Sequence, residues 1–169
     1  MALPFFHTDE YNAAELTMLL LLFTLDNHRY GLEARQVIEV VPLAELKLLP
    51  RAPDYVAGVL NYRGAPVPVL DLTQMNQSYP SRACMSTRII LVRYCAHGDG
   101  SQLLGLMAER VTETALKDPE DFMPTGIHTP DAAYCGPVAN DTQGMLQLVR
   151  VEHLLSPSVH ALLFAPAAA

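Results

Sequence analysis

Residues 51–72 read RAPDYVAGVLNYRGAPVPVLDL, and this stretch decides the fold. Two apolar runs, 58–62 and 67–72, flank the pair Arg63-Gly64. Short apolar runs on either side of a glycine-containing pair read as a β-hairpin. Pro66 and Pro68 lie two residues apart, so their missing N–H groups fall on one side of the second strand. That side cannot donate to a neighbour, which predicts an edge strand or one fully paired on one side only. The run Leu48-Leu49-Pro50-Arg51-Ala52-Pro53 just upstream is broken by prolines and reads as a loop.

The chain upstream has the same grain. Residues 17–25 read as a strand, Asp26-Asn27-His28 as a turn, and 29–32 as its return. Residues 33–37 suit a short helical turn, and the β-branched run 37–41 ends at Pro42. Downstream, the polar stretch 76–83 reads as a loop. Residues 88–94 and 102–108 form a hairpin around Gly98-Asp99-Gly100, and 109–116 continue extended. Residues 117–131 hold Pro119, Pro124 and Pro130 and read as a long loop. A last hairpin, 134–139 with 145–151, turns at Asn140-Asp141, and 151–155 suit a short helix. Many short strands and few amphipathic helices argue for an all-β sandwich or barrel. No internal repeat or linker divides it, so residues 17–163 are expected to be one domain. Residues 1–16 form an extension and 164–169 a frayed tail. Phe5, Phe6 and Tyr11 give the extension an alternative use as a docking segment.

Composition removes several function classes. Eighteen acidic against eleven basic residues leave a net charge of -7, and Lys47 and Lys117 are the only lysines. With the nine arginines scattered, nucleic acid and anionic membrane are poor partners. The apolar run 18–23 is far shorter than the ~20 residues of a membrane helix, and the start lacks a secretory pattern. Three cysteines without CxxC spacing fit a reduced, cytoplasmic location.

Catalytic chemistry is thin. Cys95 and His97 would share a face of a strand, but no carboxylate is placed to orient the histidine. A buried or edge cysteine beside a solvated histidine is the better reading. The six histidines show no zinc spacing, and phosphate-binding and hydrolase motifs are missing. Asp118, Glu120 and Asp121 lack the turn glycine of a calcium loop. No catalytic residue, metal or cofactor is expected. Arg63 stands out instead, because its five donors sit in a fixed fork suited to a carboxylate. It could pin the hairpin through Asp71, or be kept for recognition of a partner; both readings stand.

The residues of this stretch carry a family likeness. Pro50, Ala52-Pro53, Tyr55-Val56, Gly58-Val59, Asn61, Arg63-Gly64, Pro68-Val69 and Asp71-Leu72 resemble the signature of CheW-like domains. Phe23-Thr24-Leu25 with Tyr30-Gly31-Leu32, Val37-Ile38-Glu39-Val40, Thr87 to Val92, Gly105-Leu106 and Leu154-Leu155 continue it over about residues 17–163. The resemblance implies two small five-stranded, SH3-like β-barrel subdomains sharing one hydrophobic core, without catalysis. It implies a cytoplasmic scaffold recruited to receptor arrays. There it would couple the signalling tip of a methyl-accepting chemotaxis receptor to the regulatory domain of a CheA-type histidine kinase. The receptor-side surface carries over onto Val37, Glu39, Gly58 and Arg63, with Asn61, Gly64 and Asp71 as turn and structural residues. Kinase-contact residues are not assigned. Glu109 and Arg150 depart from the pattern, which usually has Asp at both places. These departures point towards an alternative array of surface-sensing or pilus-linked type. Two rivals remain: a CheW-like sensor with a small ligand between the subdomains, and a thiol enzyme using Cys95.

Overall fold

The structure, a computed structural model, describes residues 17–96 and 100–165. The proposed extension 1–16, His97 and the end of the tail lie outside the described residues.

Among the described residues nine strands and two α-helices follow in chain order. They are β1 (Met18–Leu25), β2 (His28–Glu33), β3 (Val37–Pro42), β4 (Val56–Tyr62), β5 (Ala65–Asp71), α1 (Leu72–Gln77) and β6 (Arg88–Cys95). After these come β7 (Ser101–Lys117), β8 (Cys135–Asp141), β9 (Gly144–Val149) and α2 (Pro157–Leu163). Among the described residues no helix is long and apolar enough to cross a membrane.

The strands sort into two five-stranded layers that share β7. One runs β7-β1-β2-β9-β8 and the other β3-β6-β7-β5-β4. β7 can serve both because it changes direction midway. Its first half pairs with β6 from Arg88↔Ala108 to Cys95↔Ser101, and its second half pairs with β1. Between Leu22↔Glu113 and Thr24↔Glu109 β7 places four residue steps against two on β1. Arg110 takes φ +49 there, a local left-handed kink that bends the strand from one layer into the next. Alternating side chains then point to opposite faces of each layer. Phe23, Leu25, Tyr30 and Leu32 of the first layer meet Leu70, Ile90, Val92, Leu104 and Leu106 of the second, with Leu72 of α1, in one shared core. A smaller core, Leu60, Val67, Val69, Ile89 and Leu91, fills the second layer from its other face. The all-β reading and the pair of barrel subdomains with a common core hold.

Each layer is curled shut by the same device. After β3, Lys47 exchanges backbone hydrogen bonds with Val59 of β4 at 3.0 and 2.8 Å. After β7, Met123 does so with Val138 of β8 at 2.8 and 2.9 Å. In both cases the chain leaving one end strand is stitched to the strand at the other end, which covers an otherwise open edge.

The prolines of β5 behave largely as their spacing requires. Pro66 and Pro68 pair with β4, while pairing with β7 begins at Val69↔Gly105, beyond both. The strand is one-sided over its proline half only: Val69 and Leu70 are paired on both sides, and Asp71 pairs with Met107 of β7 while its amide donates to the Tyr55 carbonyl.

Four expectations need correction. The last hairpin turns at 142–143, because Asn140 and Asp141 lie inside β8. The strand expected at 67–72 ends at Asp71, and the loop expected at 76–83 begins inside α1. Asp71 caps that helix, its Oδ1 accepting from the amides of Thr73 and Gln74 at 3.1 Å each. The short helix expected at 151–155 is a 3-10 turn over Val151–His153, and the true closing helix is α2. Ser156 caps α2 through Oγ to the Val159 amide at 3.4 Å, with Pro157 in the first turn. α2 docks on β6 through rings: Tyr94 stacks on Phe164 at 5.8 Å and lies 5.7 Å from His160.

Between the barrels, α1 supplies one polar clasp. Tyr134 donates to Asn76 Oδ1 and Asn76 Nδ2 donates to the Tyr30 hydroxyl, each at 3.2 Å. Burial pushes both phenols above their ordinary titration range, so both stay protonated, Tyr134 as donor and Tyr30 as acceptor.

Candidate functional site

Arg63 and Gly64 are the two central residues of the β4–β5 turn, at φ +51 and +85. Positive φ at both places is the hairpin turn whose twist matches its strands, and glycine takes the second position without strain. Asn61 holds the turn, its Oδ1 accepting from the Gly64 amide at 3.0 Å. The guanidinium is thereby presented at a fixed place at the end of the barrel.

It does not meet Asp71. Six residue steps of β5 separate Ala65 from Asp71, roughly 20 Å of strand. Asp71 is buried at the far end, where Ser81 donates to it through its amide at 2.9 Å and its hydroxyl at 2.6 Å. The hairpin-pinning reading of the Arg63–Asp71 pair therefore falls.

Arg63 turns instead to Glu39 of β3, its Nη2 at 3.3 Å from Oε2. The same guanidinium lies 5.0 Å from the centroid of the Tyr62 ring, a cation–π contact. Tyr62 closes the triangle by donating its hydroxyl to Glu39 Oε2. That bond retains the phenolic proton, and the Tyr62 pKa is raised chiefly by it. Since β3 and β4 are the two end strands of their layer, the triad lies across the seam of the second barrel. It is open to solvent, with the Arg63 side chain 76% and Glu39 39% exposed.

β3 carries apolar surface beside the triad. It pairs with β6 only, so its outer edge is free among the described residues. Its burial alternates: Val37, Glu39 and Val41 are half-buried, while Ile38 and Val40 are 47% and 38% exposed. Val37 packs against the shared core. By strand alternation Ile38 and Val40 face away from Glu39, so the free edge of β3 offers an apolar face on one side and the Arg63–Glu39 pair on the other.

Gly58 supports this surface from beneath. It is buried at φ +146, and a Cβ there would lie 2.6 Å from the Lys47 carbonyl oxygen and 2.9 Å from Leu46 Cβ. Only glycine lets residues 46–47 lie on β4 and close the barrel. Glu39 and Arg63 thus meet at the surface of the second barrel, Val37 lies half-buried against the shared core, and Gly58 holds the backbone behind them.

A second ionic cluster was not legible in the chain. Asp141, at the end of β8, accepts from Arg29 of β2 at 2.7 and 3.1 Å and from Lys117 of β7 at 2.7 Å. The amide of Gln143 adds 2.8 Å. Hydrogen bonds from Arg29, then Lys117, hold the carboxyl well below its ordinary range. β7 and β8 are the end strands of the first layer, so this triad also crosses a seam.

The thiols offer no assembled chemistry. Cys95 is exposed at the end of β6, and its proposed partner His97 lies outside the described residues. Cys84 is exposed, its pKa lowered by hydrogen bonding to the Ser86 and Thr87 hydroxyls, and burial raises that of Cys135. Among the described residues no three His, Cys, Asp or Glu side chains gather as metal ligands.

Comparison with known proteins agrees with this architecture. A family model for the CheW-like domain matches residues 19–158. The chain is 28% identical over 148 residues to the chemotaxis protein CheW of Klebsiella aerogenes, covering 84% of each. It is 29% identical over 102 residues to protein FrzA of Myxococcus xanthus, covering 60% of this chain and 61% of FrzA. The crystal structure of the scaffolding protein TtCheW from Thermoanaerobacter tengcongensis matches with a TM-score of 0.74 and 26% identity. That match covers 84% of this chain and 90% of the other. With five strands in each layer, one shared core and a family match over most of its length, the chain belongs to the CheW-like domain family.

Proposed function

We propose that this chain is a non-catalytic scaffold that couples the signalling tip of a methyl-accepting chemoreceptor to a CheA-type histidine kinase. The observation that carries the receptor side is the exposed seam of the second barrel. There Arg63 is fixed by its turn, by the Tyr62 ring and by Glu39, and Ile38 and Val40 lie open on β3. A receptor tip is a helical hairpin. Its apolar stripe would bury Val40 and its neighbours, and Arg63 with Glu39 would set register by charge complementarity. Gly58 and the 46–47 segment would hold that end of the barrel rigid, so little ordering cost falls on docking. The chain would act in the cytoplasm at receptor arrays, in chemotaxis or in a surface-sensing or pilus-type pathway. Signal would pass as a small bias in how receptor and kinase are held, with no reaction on the scaffold.

The test is a titration of a purified receptor signalling fragment into wild-type and Arg63→Ala protein, with thermal melts of both. The proposal expects wild-type binding and at least about tenfold weaker binding by the variant, one decade in Kd, at unchanged melting temperature. Equal binding by both proteins removes Arg63 from the interface.

A further inference from the structure

The loop between β7 and β8 covers a cavity of about 340 Å³ on the first barrel, away from the Arg63 seam. That is within the size range of small-ligand sites. Its walls mix apolar groups, Pro124, Ile127 and Pro137, with the polar Thr125 and Thr129, and its ionisable nitrogen groups are Arg150, His128 and His153. In a chain with eighteen acidic residues, not one Asp or Glu lines it. Asp131 is flanked by two lining residues, Pro130 and Ala132, yet it lines the neighbouring cleft with Glu152.

Arg150 is built into this wall. Its amide donates to the Tyr134 carbonyl at 2.8 Å, which anchors the residue to the strand entering the cavity. Its stem crosses Gly136, where a Cβ would lie 3.4 Å from Arg150 Cγ and 2.9 Å from the Leu148 carbonyl oxygen. The guanidinium forms none of the ion pairs found among the described residues, in contrast with Arg29, Arg35 and Arg63. An exposed arginine with no ion pair, its backbone anchored beside a carboxylate-free cavity, is complementary to an anion carrying an apolar body.

We infer that this cavity binds a small organic carboxylate, with the carboxylate on Arg150 and the apolar body against Pro124, Ile127 and Pro137. The site is separate from the receptor seam, so it stands whether or not the coupling role does.

The test is an amide-resolved NMR titration with sodium benzoate, with inorganic phosphate and sodium chloride run in parallel. Benzoate is expected to shift the Ile127, Gly136 and Arg150 amides and to saturate with a Kd on the order of 1 mM. Phosphate, lacking an apolar body, is expected to bind at least about tenfold more weakly. Arg150→Gln is expected to weaken benzoate at least about tenfold while melting like wild type, because Arg150 is exposed. Absence of saturation by benzoate, equal affinity in Arg150→Gln, or phosphate binding as tightly as benzoate would each overturn the assignment.

Discussion

The two barrels are closed by the same chemistry at opposite levels of exposure. In each, an acidic side chain lies across the seam between the two end strands and is met by an arginine. Around Asp141 the groups are shielded: the Arg29, Lys117 and Asp141 side chains are 18%, 20% and 23% exposed. Around Glu39 they stand in water, and Tyr62 takes the place of the second cation. Shielding sets what an ion pair contributes. A solvated pair adds little to stability, because water screens it and its long side chains must be ordered. A shielded, doubly paired carboxylate contributes more, and losing a partner leaves a charge poorly solvated. The first triad therefore serves the fold, and the second is free to serve recognition.

The largest stability effect is expected behind the exposed seam and not within it. Gly58→Val places a branched side chain where even a Cβ meets Lys47 backbone, at a φ that side chains rarely adopt. A loss of about 3 kcal/mol is expected in denaturant melts. A melt like wild type would show that residues 46–47 can lift away at no cost, and the rigid end of the barrel would be lost from the account.

Asp141→Asn comes next, at about 2 kcal/mol, from weakened charge-assisted bonds to Arg29 and Lys117. It also carries a pH signature. The Asp141 carboxyl titrates below its ordinary range in the folded protein. Its contribution is therefore complete above the unfolded value of about 3.9 and fades as pH falls from there towards the folded value. Melting temperature against pH should show wild type converging on Asp141→Asn in acid. Parallel curves down to the acid limit would mean the triad is not coupled to folding.

Glu39→Gln and Arg63→Ala should change stability least, each by under about 0.5 kcal/mol. A larger cost at either position would make the exposed seam structural too and erase the contrast between the barrels.

How much could be read from the chain follows from the range of the interactions. The β4–β5 hairpin was legible because Arg63-Gly64, Pro66 and Pro68 act within a few residues, through φ and missing donors. The shared core was implied by the family likeness and not by any local pattern, since residues 18–23 of β1 are an unbroken apolar run. The helix α1 was hidden, since Leu72–Gln77 has no amphipathic run long enough to see. Its cap, Asp71, falls inside the apolar run 67–72, and the residues Thr73 and Gln74 after it give no capping-box signal. α2 carries a local start signal, Ser156-Pro157, a capping hydroxyl followed by a first-turn proline. The partners of Arg63 and Asp141 lie 24 and 112 residues away respectively for Glu39 and Arg29. Only the closure of each barrel brings them together, and no local pattern encodes that. Gly58 was marked by likeness alone, and its physical reason, contact with Lys47, is likewise long-range.

The most direct test of the contrast is one set of receptor-fragment titrations on wild type, Arg63→Ala and Asp141→Asn, at a temperature where all three are folded. The account predicts that Arg63→Ala loses at least about tenfold in affinity with its melting curve unmoved, while Asp141→Asn melts earlier and binds as wild type does. The reverse pattern, with binding lost through Asp141 and kept without Arg63, would contradict it.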